Sequence, residues 1–121
     1  MSKSILVIED HEDNRRILRD LLNNAGYEVI EVATGEEGVA SAETNRPDLI
    51  LMDIQLPGLD GYEATRRIKA NSDLQHIPVI AVTSYGLSGD DAKAFKAGCD
   101  AYVAKPFSPR ALLAKIREFV D

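Results

Sequence analysis

Asp48-Leu49-Ile50-Leu51-Met52-Asp53 decides the reading of this chain: an unbroken apolar run closed by an acid. A second run, Ile5-Leu6-Val7-Ile8, also ends in acid, at Glu9-Asp10. Runs this continuous suit central parallel strands covered on both faces. Two buried strands that each deliver carboxylates at their C-terminal ends point to a divalent metal beside a nucleophilic carboxylate. Adjacent like charges are costly unless a cation neutralises them. Two further runs finish with Thr83 and Lys105, so four strand ends are expected to converge on one site.

Outward from these runs, strands are predicted over Ser4–Glu9, Tyr27–Val32, Leu49–Asp53, Val79–Val82 and Ala101–Ala104. The second alternates polar and apolar residues (Glu28, Glu31) and suits an edge. Helices between them announce their starts. Thr34 with Glu37 and Ser88 with Asp91 have capping-box spacing, Asp60 with Glu63 resembles it, and Ser108-Pro109 sets an N-cap before a first-turn proline. Gly26 and Gly98 sit where helices should stop. Ile17, Leu18, Leu21, Leu22 and Ala25 form one apolar stripe, and Leu112, Leu113, Ile116, Phe119 and Val120 another; both read as core. Strand–helix repeated five times gives an α/β fold, a doubly wound five-stranded parallel sheet with helices on both faces. Such sheets bind ligands beyond the carboxyl ends of their strands, which points to Glu9, Asp10 and Asp53.

The bulk composition is consistent with this. The chain has 121 residues, enough for one domain with a real core, and residues 1–121 read as that single domain with no output domain. No apolar run approaches a membrane span, and Met1-Ser2-Lys3 leaves no room for a signal peptide before the first strand. The single cysteine, Cys99, excludes an internal disulfide and fits a reducing compartment, so a cytoplasmic protein is expected. A net charge of −6 argues against a nucleic-acid surface.

The residue types suggest phosphoryl transfer. Asp53 can accept a phosphoryl group as an aspartyl phosphate. Glu9 and Asp10 suit Mg²⁺, which takes one or two carboxylates, waters and phosphate oxygens. Lys105 can supply a fixed cation and Thr83 a hydroxyl to the equatorial oxygens. Taken singly, Asp53 could be a capping or loop acid, and Glu9-Asp10 the start of an acidic helix N-terminus. Together, at four strand ends, they read as a site. Pro57-Gly58 and Asp60-Gly61 form a turn-rich loop directly after Asp53. Pro106 biases Lys105 away from helix. A cis bond there would aim the lysine into the site, and a trans proline that merely separates strand from helix also fits.

At Glu9-Asp10, Asp53 within Leu51-Met52-Asp53-Ile54-Gln55-Leu56-Pro57-Gly58-Leu59-Asp60-Gly61, Thr83 and Lys105-Pro106-Phe107, the chain closely resembles the receiver domain of two-component response regulators. The resemblance covers essentially the whole length and is of the single-domain, chemotaxis-regulator-like type. It implies the flavodoxin-like strand order 2-1-3-4-5 and phosphoryl transfer to Asp53 from a phosphohistidine on a sensor histidine kinase or histidine phosphotransfer protein. It implies Mg²⁺ (or Mn²⁺) held by Glu9 or Asp10, Asp53 and the backbone carbonyl of Gln55. Glu9 departs from the commoner aspartate. The family's proline after the lysine is typically cis. Thr83 and Tyr102 match a two-state switch that remodels the fourth helix, fifth strand and fifth helix, the expected face for a protein target and for phosphorylation-dependent pairing. Gln55 and Tyr85 match positions that tune self-dephosphorylation. On this reading the chain is a signalling phosphoacceptor rather than an enzyme.

His11 reads as a solvated loop histidine, His76 as structural or exposed, and Cys99 as a small buried hydrophobe. Arg15-Arg16 and Arg66-Arg67-Lys69 read as solvated helix faces, with Arg15 and Arg16 also placed to meet a kinase. Two other functions fit less well. A hydrolase with an aspartyl-phosphate intermediate would be expected to carry an acid where Gln55 stands. A flavin carrier on the same sheet needs a hydroxyl- and glycine-rich loop where Glu9-Asp10-His11-Glu12-Asp13 stands.

Overall fold

The strand cores alternate between two hydrophobic clusters. Leu6, Ile8, Ile50, Met52, Val79 and Ala81 point to one face, and Ile5, Val7, Leu49, Leu51, Ile80 and Val82 to the other. This is the period-two consequence of extended backbone, and it explains why the runs contain no polar residue: both faces are covered. The computed structural model describes residues 2–83 and 90–120. In chain order the elements are β1 (Ser4–Ile8), α1 (Glu12–Asn24), β2 (Glu28–Val32), α2 (Gly35–Asn45), β3 (Leu49–Asp53), α3 (Gly61–Ala70), β4 (Val79–Thr83), α4 (Asp90–Ala97), β5 (Ala101–Ala104) and α5 (Pro109–Arg117). All strand pairs are parallel, in the order β2-β1-β3-β4-β5. This is the expected doubly wound α/β sheet, with the alternating strand at one edge.

One cluster takes Ala42 of α2, Ala64 and Ile68 of α3, and Ala94 of α4. The other takes Leu18 and Leu22 of α1 with Leu112 and Ile116 of α5. Each fully buried leucine or isoleucine contributes about 2 kcal/mol through area removed from water. Thr34, Asp60 and Ser108 accept from the amides of Glu37, Glu63 and Ala111, so these three caps form as the spacing predicted. Gly26 and Gly98 adopt positive φ after α1 and α4. The capping signal at Ser88 and the role given to Tyr85 fall outside the described residues.

Four details differ from the sequence reading. β2 begins at Glu28, one residue after the Tyr27 expected. β1 stops at Ile8, so Glu9 lies just beyond the ladder, although its amide still donates to Val32 O at 3.2 Å. β4 runs one residue further, to Thr83. Ile17 of the α1 stripe is 58% exposed and Phe119 of the α5 stripe is 37% exposed, so neither belongs to the core.

Candidate functional site

Register sets the ends of the central strands level. Ile8 pairs with Met52, Asp53 with Val82, and Thr83 with Ala104. The chain leaves β1 into Glu9-Asp10, β3 ends on Asp53, β4 ends on Thr83, and β5 leads into Lys105. The four strand ends therefore do converge. Beyond β3 the loop folds back, with the Gly61 amide donating to Ile54 O at 3.0 Å. A Cβ on Gly61 would collide with the carbonyl of Asp53, so only glycine lets α3 begin this close.

Lys105 bridges the two buried acids. Its Nζ donates to Glu9 Oε1 at 3.0 Å and stands 3.7 Å from Asp53 Oδ1. Glu9 also accepts from Asn14 Nδ2 at 3.3 Å and, on Oε2, from the His11 amide at 3.0 Å. Burial pushes the Glu9 carboxyl up, but the His11 amide and Lys105 outweigh it and hold it at about 2. Asp53 lies on the other side of the balance. Burial first, and the Glu9 charge second, push its carboxyl up to about 6, against the pull of Lys105 and the Gln55 amide at 3.1 Å. One ammonium serves two carboxylates and sits nearer Glu9, so Asp53 is under-neutralised. The Lys105–Pro106 peptide bond is cis.

Asp10 completes the acidic group. Its Oδ1 is buried and has no hydrogen-bond partner among the described residues; His11 Nδ1 comes within 3.1 Å without bonding geometry. Buried acceptors are almost always satisfied, so this oxygen is an anomaly that a cation would remove. Carboxylates are the donor type that suits a hard divalent ion, and donor atoms of Glu9, Asp10 and His11 lie within 4.8 Å of one another. Gln55 is exposed immediately beyond β3. Thr83 is 1% exposed, and Tyr102 is half-buried on β5 against the cluster beneath α2, α3 and α4. His76 is exposed and Cys99 buried, as read from the sequence.

Two cationic side chains do more than the sequence suggested. Arg15 is not a solvated face: its guanidinium donates to Glu9 O at 2.9 Å and Asp10 O at 3.2 Å, pinning the turn that carries both acids. Lys69 is only 17% exposed and donates to Gln75 O, Ile77 O and Asp100 Oδ2. A third feature was only partly legible in the sequence. A groove of about 420 Å³ runs beside Glu9 and Lys105, walled by Ile17, Leu18, Leu21, Pro106, Phe107 and Pro109. Exposed Ile17 lines it. The stripe on α1 was legible, but the wall supplied by the loop after β5 was not.

Comparison with known proteins agrees with this geometry. The model of the response regulator receiver domain matches residues 5–117. The polar-differentiation response regulator DivK of Brucella anthropi is 43% identical over 120 residues, 99% of this chain and 98% of the relative. DivK of Brucella ovis is 42% identical over the same shares. Among solved structures, the receiver domain of a Pseudomonas aeruginosa sensor histidine kinase, determined with a magnesium ion coordinated in its active-site cleft, is 40% identical with a TM-score of 0.92 over 98% of each chain. Chemotaxis protein CheY4 of Vibrio cholerae is 26% identical with a TM-score of 0.93, covering 99% of this chain and 100% of that one. With the fold, the acidic strand ends and these likenesses in agreement, the chain belongs to the response regulator receiver family of two-component signalling.

Proposed function

We propose that this chain, as one domain over residues 1–121, is a stand-alone receiver that takes a phosphoryl group onto Asp53. The observation that carries the reading is Asp53 itself: a buried, under-neutralised carboxylate 3.7 Å from Lys105 at the carboxyl edge of a parallel sheet. The phosphodonor is a phosphohistidine on a sensor histidine kinase or histidine phosphotransfer protein. An Asp53 carboxylate oxygen attacks phosphorus, a P–O bond forms, the P–N bond to imidazole breaks, and the imidazole leaves as it gains a proton. Lys105 and the Thr83 hydroxyl bind the equatorial oxygens, and the Gln55 amide fixes the orientation of the attacking carboxylate. Glu9, Asp10, Asp53 and the Gln55 carbonyl would hold Mg²⁺ or Mn²⁺. When bound, that ion supplies positive charge against the gathered carboxylates and the incoming phosphate.

The groove beside the site suits the donor protein. Its apolar wall of Ile17, Pro106 and Phe107 offers buried area, and its rim is Glu9 and Lys105, so a partner seated there presents its histidine to Asp53. Output uses a different face. Tyr102 pairs with Ala81, two residues before Thr83, so Thr83 and Tyr102 share one side of the sheet. A phosphate that draws Thr83 inward frees space for the Tyr102 ring and alters the α4-β5-α5 surface, where a downstream protein or a second phosphorylated copy binds. The reading is of a signalling protein in the cytoplasm, neither a nucleic-acid binder nor a membrane protein. Among the described residues, no helix is long and apolar enough to cross a membrane.

Intact mass after incubation with acetyl phosphate and Mg²⁺ tests this. A single phosphoryl adduct is expected in the native chain, absent in Asp53→Asn and absent with chelator. An adduct that persists in Asp53→Asn would sink the assignment.

A further inference from the structure

We propose that His11 is a further protein ligand of the acidic site, an imidazole nitrogen that turns it toward nitrogen-preferring divalent metals such as Ni²⁺, Co²⁺ and Zn²⁺. The proposal rests on the reading that Glu9 and Asp10 bind a cation. His11 Nδ1 stands 3.1 Å from Asp10 Oδ1 and 3.4 Å from Glu9 Oε2, and the donor atoms of the three residues lie within 4.8 Å of one another. With metal–ligand bonds of about 2.1 Å, adjacent positions of a six-coordinate shell are about 3 Å apart. The 3.1 Å spacing matches that edge length, and the 3.4 Å spacing exceeds it by a few tenths of an ångström.

The local backbone explains why the ring is there. His11 is the N-cap of α1, with extended φ of −89° and ψ of 123°, yet its side chain makes no capping hydrogen bond. Histidine is not among the residues whose side chains ordinarily cap a first turn, so capping does not claim the ring. Here the ring turns to the acids: Nδ1 is in hydrogen-bond contact with Glu9 Oε2 and lies 3.1 Å from the Asp10 oxygen that has no hydrogen-bond partner among the described residues. The His11 amide donating to Glu9 Oε2 holds the residue against the pair. The side chain is 69% exposed, which leaves the far side of the ring to water.

Ligand chemistry then sets the preference. Carboxylate, carbonyl and water oxygens suit Mg²⁺ and Mn²⁺, whereas imidazole suits later transition metals and Zn²⁺. An added nitrogen therefore strengthens Ni²⁺, Co²⁺ or Zn²⁺ far more than Mg²⁺.

The test is calorimetric titration of the full chain, His11→Ala and His76→Ala with Mg²⁺ and Ni²⁺ separately at pH 7.5, with ¹⁵N shifts of the histidine rings read on adding Zn²⁺. Loss of a protein ligand is expected to weaken Ni²⁺ binding by about tenfold or more. Mg²⁺ affinity of His11→Ala should stay close to native, His76→Ala should match native for both ions, and Zn²⁺ should move Nδ1 of His11. Unchanged Ni²⁺ affinity in His11→Ala, an equal loss for both ions, or a Zn²⁺ shift confined to His76 would overturn the proposal. Mg²⁺ binding indifferent to His11, with Ni²⁺ equally indifferent, removes this ligand and leaves the function above intact. Ni²⁺ bound through His11 with no Mg²⁺ binding at all keeps the ligand and removes Mg²⁺ from that function.

Discussion

The two ends of the sheet use acids in opposite ways. At the amino end, Asp48 Oδ2 accepts from the Ser4 amide at 2.8 Å, and Asp100 Oδ2 accepts from the Val79 amide at 2.8 Å and Lys69 Nζ at 2.9 Å. Each carboxylate there closes off the first free amide of a strand. At the carboxyl end, Glu9 and Asp53 share one ammonium, an Asp10 oxygen has no hydrogen-bond partner among the described residues, and Asp53 is driven up to about 6. The same residue type stabilises one end and strains the other. Local inconsistency of this kind is what a functional site looks like in an otherwise consistent fold.

The sharpest way to break that contrast is Asp53→Asn. The Asp53 carboxyl ordinarily titrates at 3.8 and sits at about 6 in the folded chain. The folded state therefore holds more protons between those values, and stability falls as pH rises through that window. Replacing the acid removes this term. Asp53→Asn should be more stable than the native chain at pH 7.5 without divalent metal, on the order of 2–3 kcal/mol, with the gain gone near pH 4. Urea unfolding at the two pH values measures it. Excess Mg²⁺ should shrink the gap, because the ion stabilises the native chain by mass action. A destabilised Asp53→Asn would mean that the carboxyl end is not strained.

Much of this contrast could be read before the structure. The apolar runs marked the strands, with ends right to within a residue, because a strand covered on both faces tolerates no polar residue. Capping residues marked Thr34, Asp60 and Ser108 because their hydrogen bonds are local. What failed to show was the long-range use of flexible cations. Arg15 and Lys69 look like solvated helix residues in sequence, since nothing local distinguishes a guanidinium in water from one folded back onto two carbonyls. Ile17 failed for the complementary reason: helical period says which side of α1 it lies on, but not how far the neighbouring loop extends to cover it. The His11 side chain is 69% exposed, as a solvated histidine should be, but its contacts with Glu9 and Asp10 depend on a turn that the sequence does not show.

A smaller effect is expected at the amino end. Asp100→Ala strips the acceptor from the Val79 amide and leaves Lys69 with carbonyls alone, so about 2 kcal/mol should be lost. Lys69→Met alongside it distinguishes the amide from the ion pair. Phosphoryl uptake at Asp53 should be unchanged in both, as read by intact mass.

Asp48→Ala should cost least, about 1 kcal/mol, because Asp48 is exposed and its bonds to the Ser4 amide and hydroxyl compete with water. It nevertheless gives the cleanest test of independence. Asp48 precedes β3 and Asp53 ends it, so about five strand steps, roughly 16 Å, separate them. Sites that far apart with no shared partner should add. The double variant Asp48→Ala with Asp53→Asn should therefore keep nearly all of the Asp53→Asn gain, offset only by the Asp48 loss, at pH 7.5 in urea. A coupling of 1 kcal/mol or more would mean that strain at the acidic end is transmitted along β3, and the two ends would then have to be treated as one electrostatic unit.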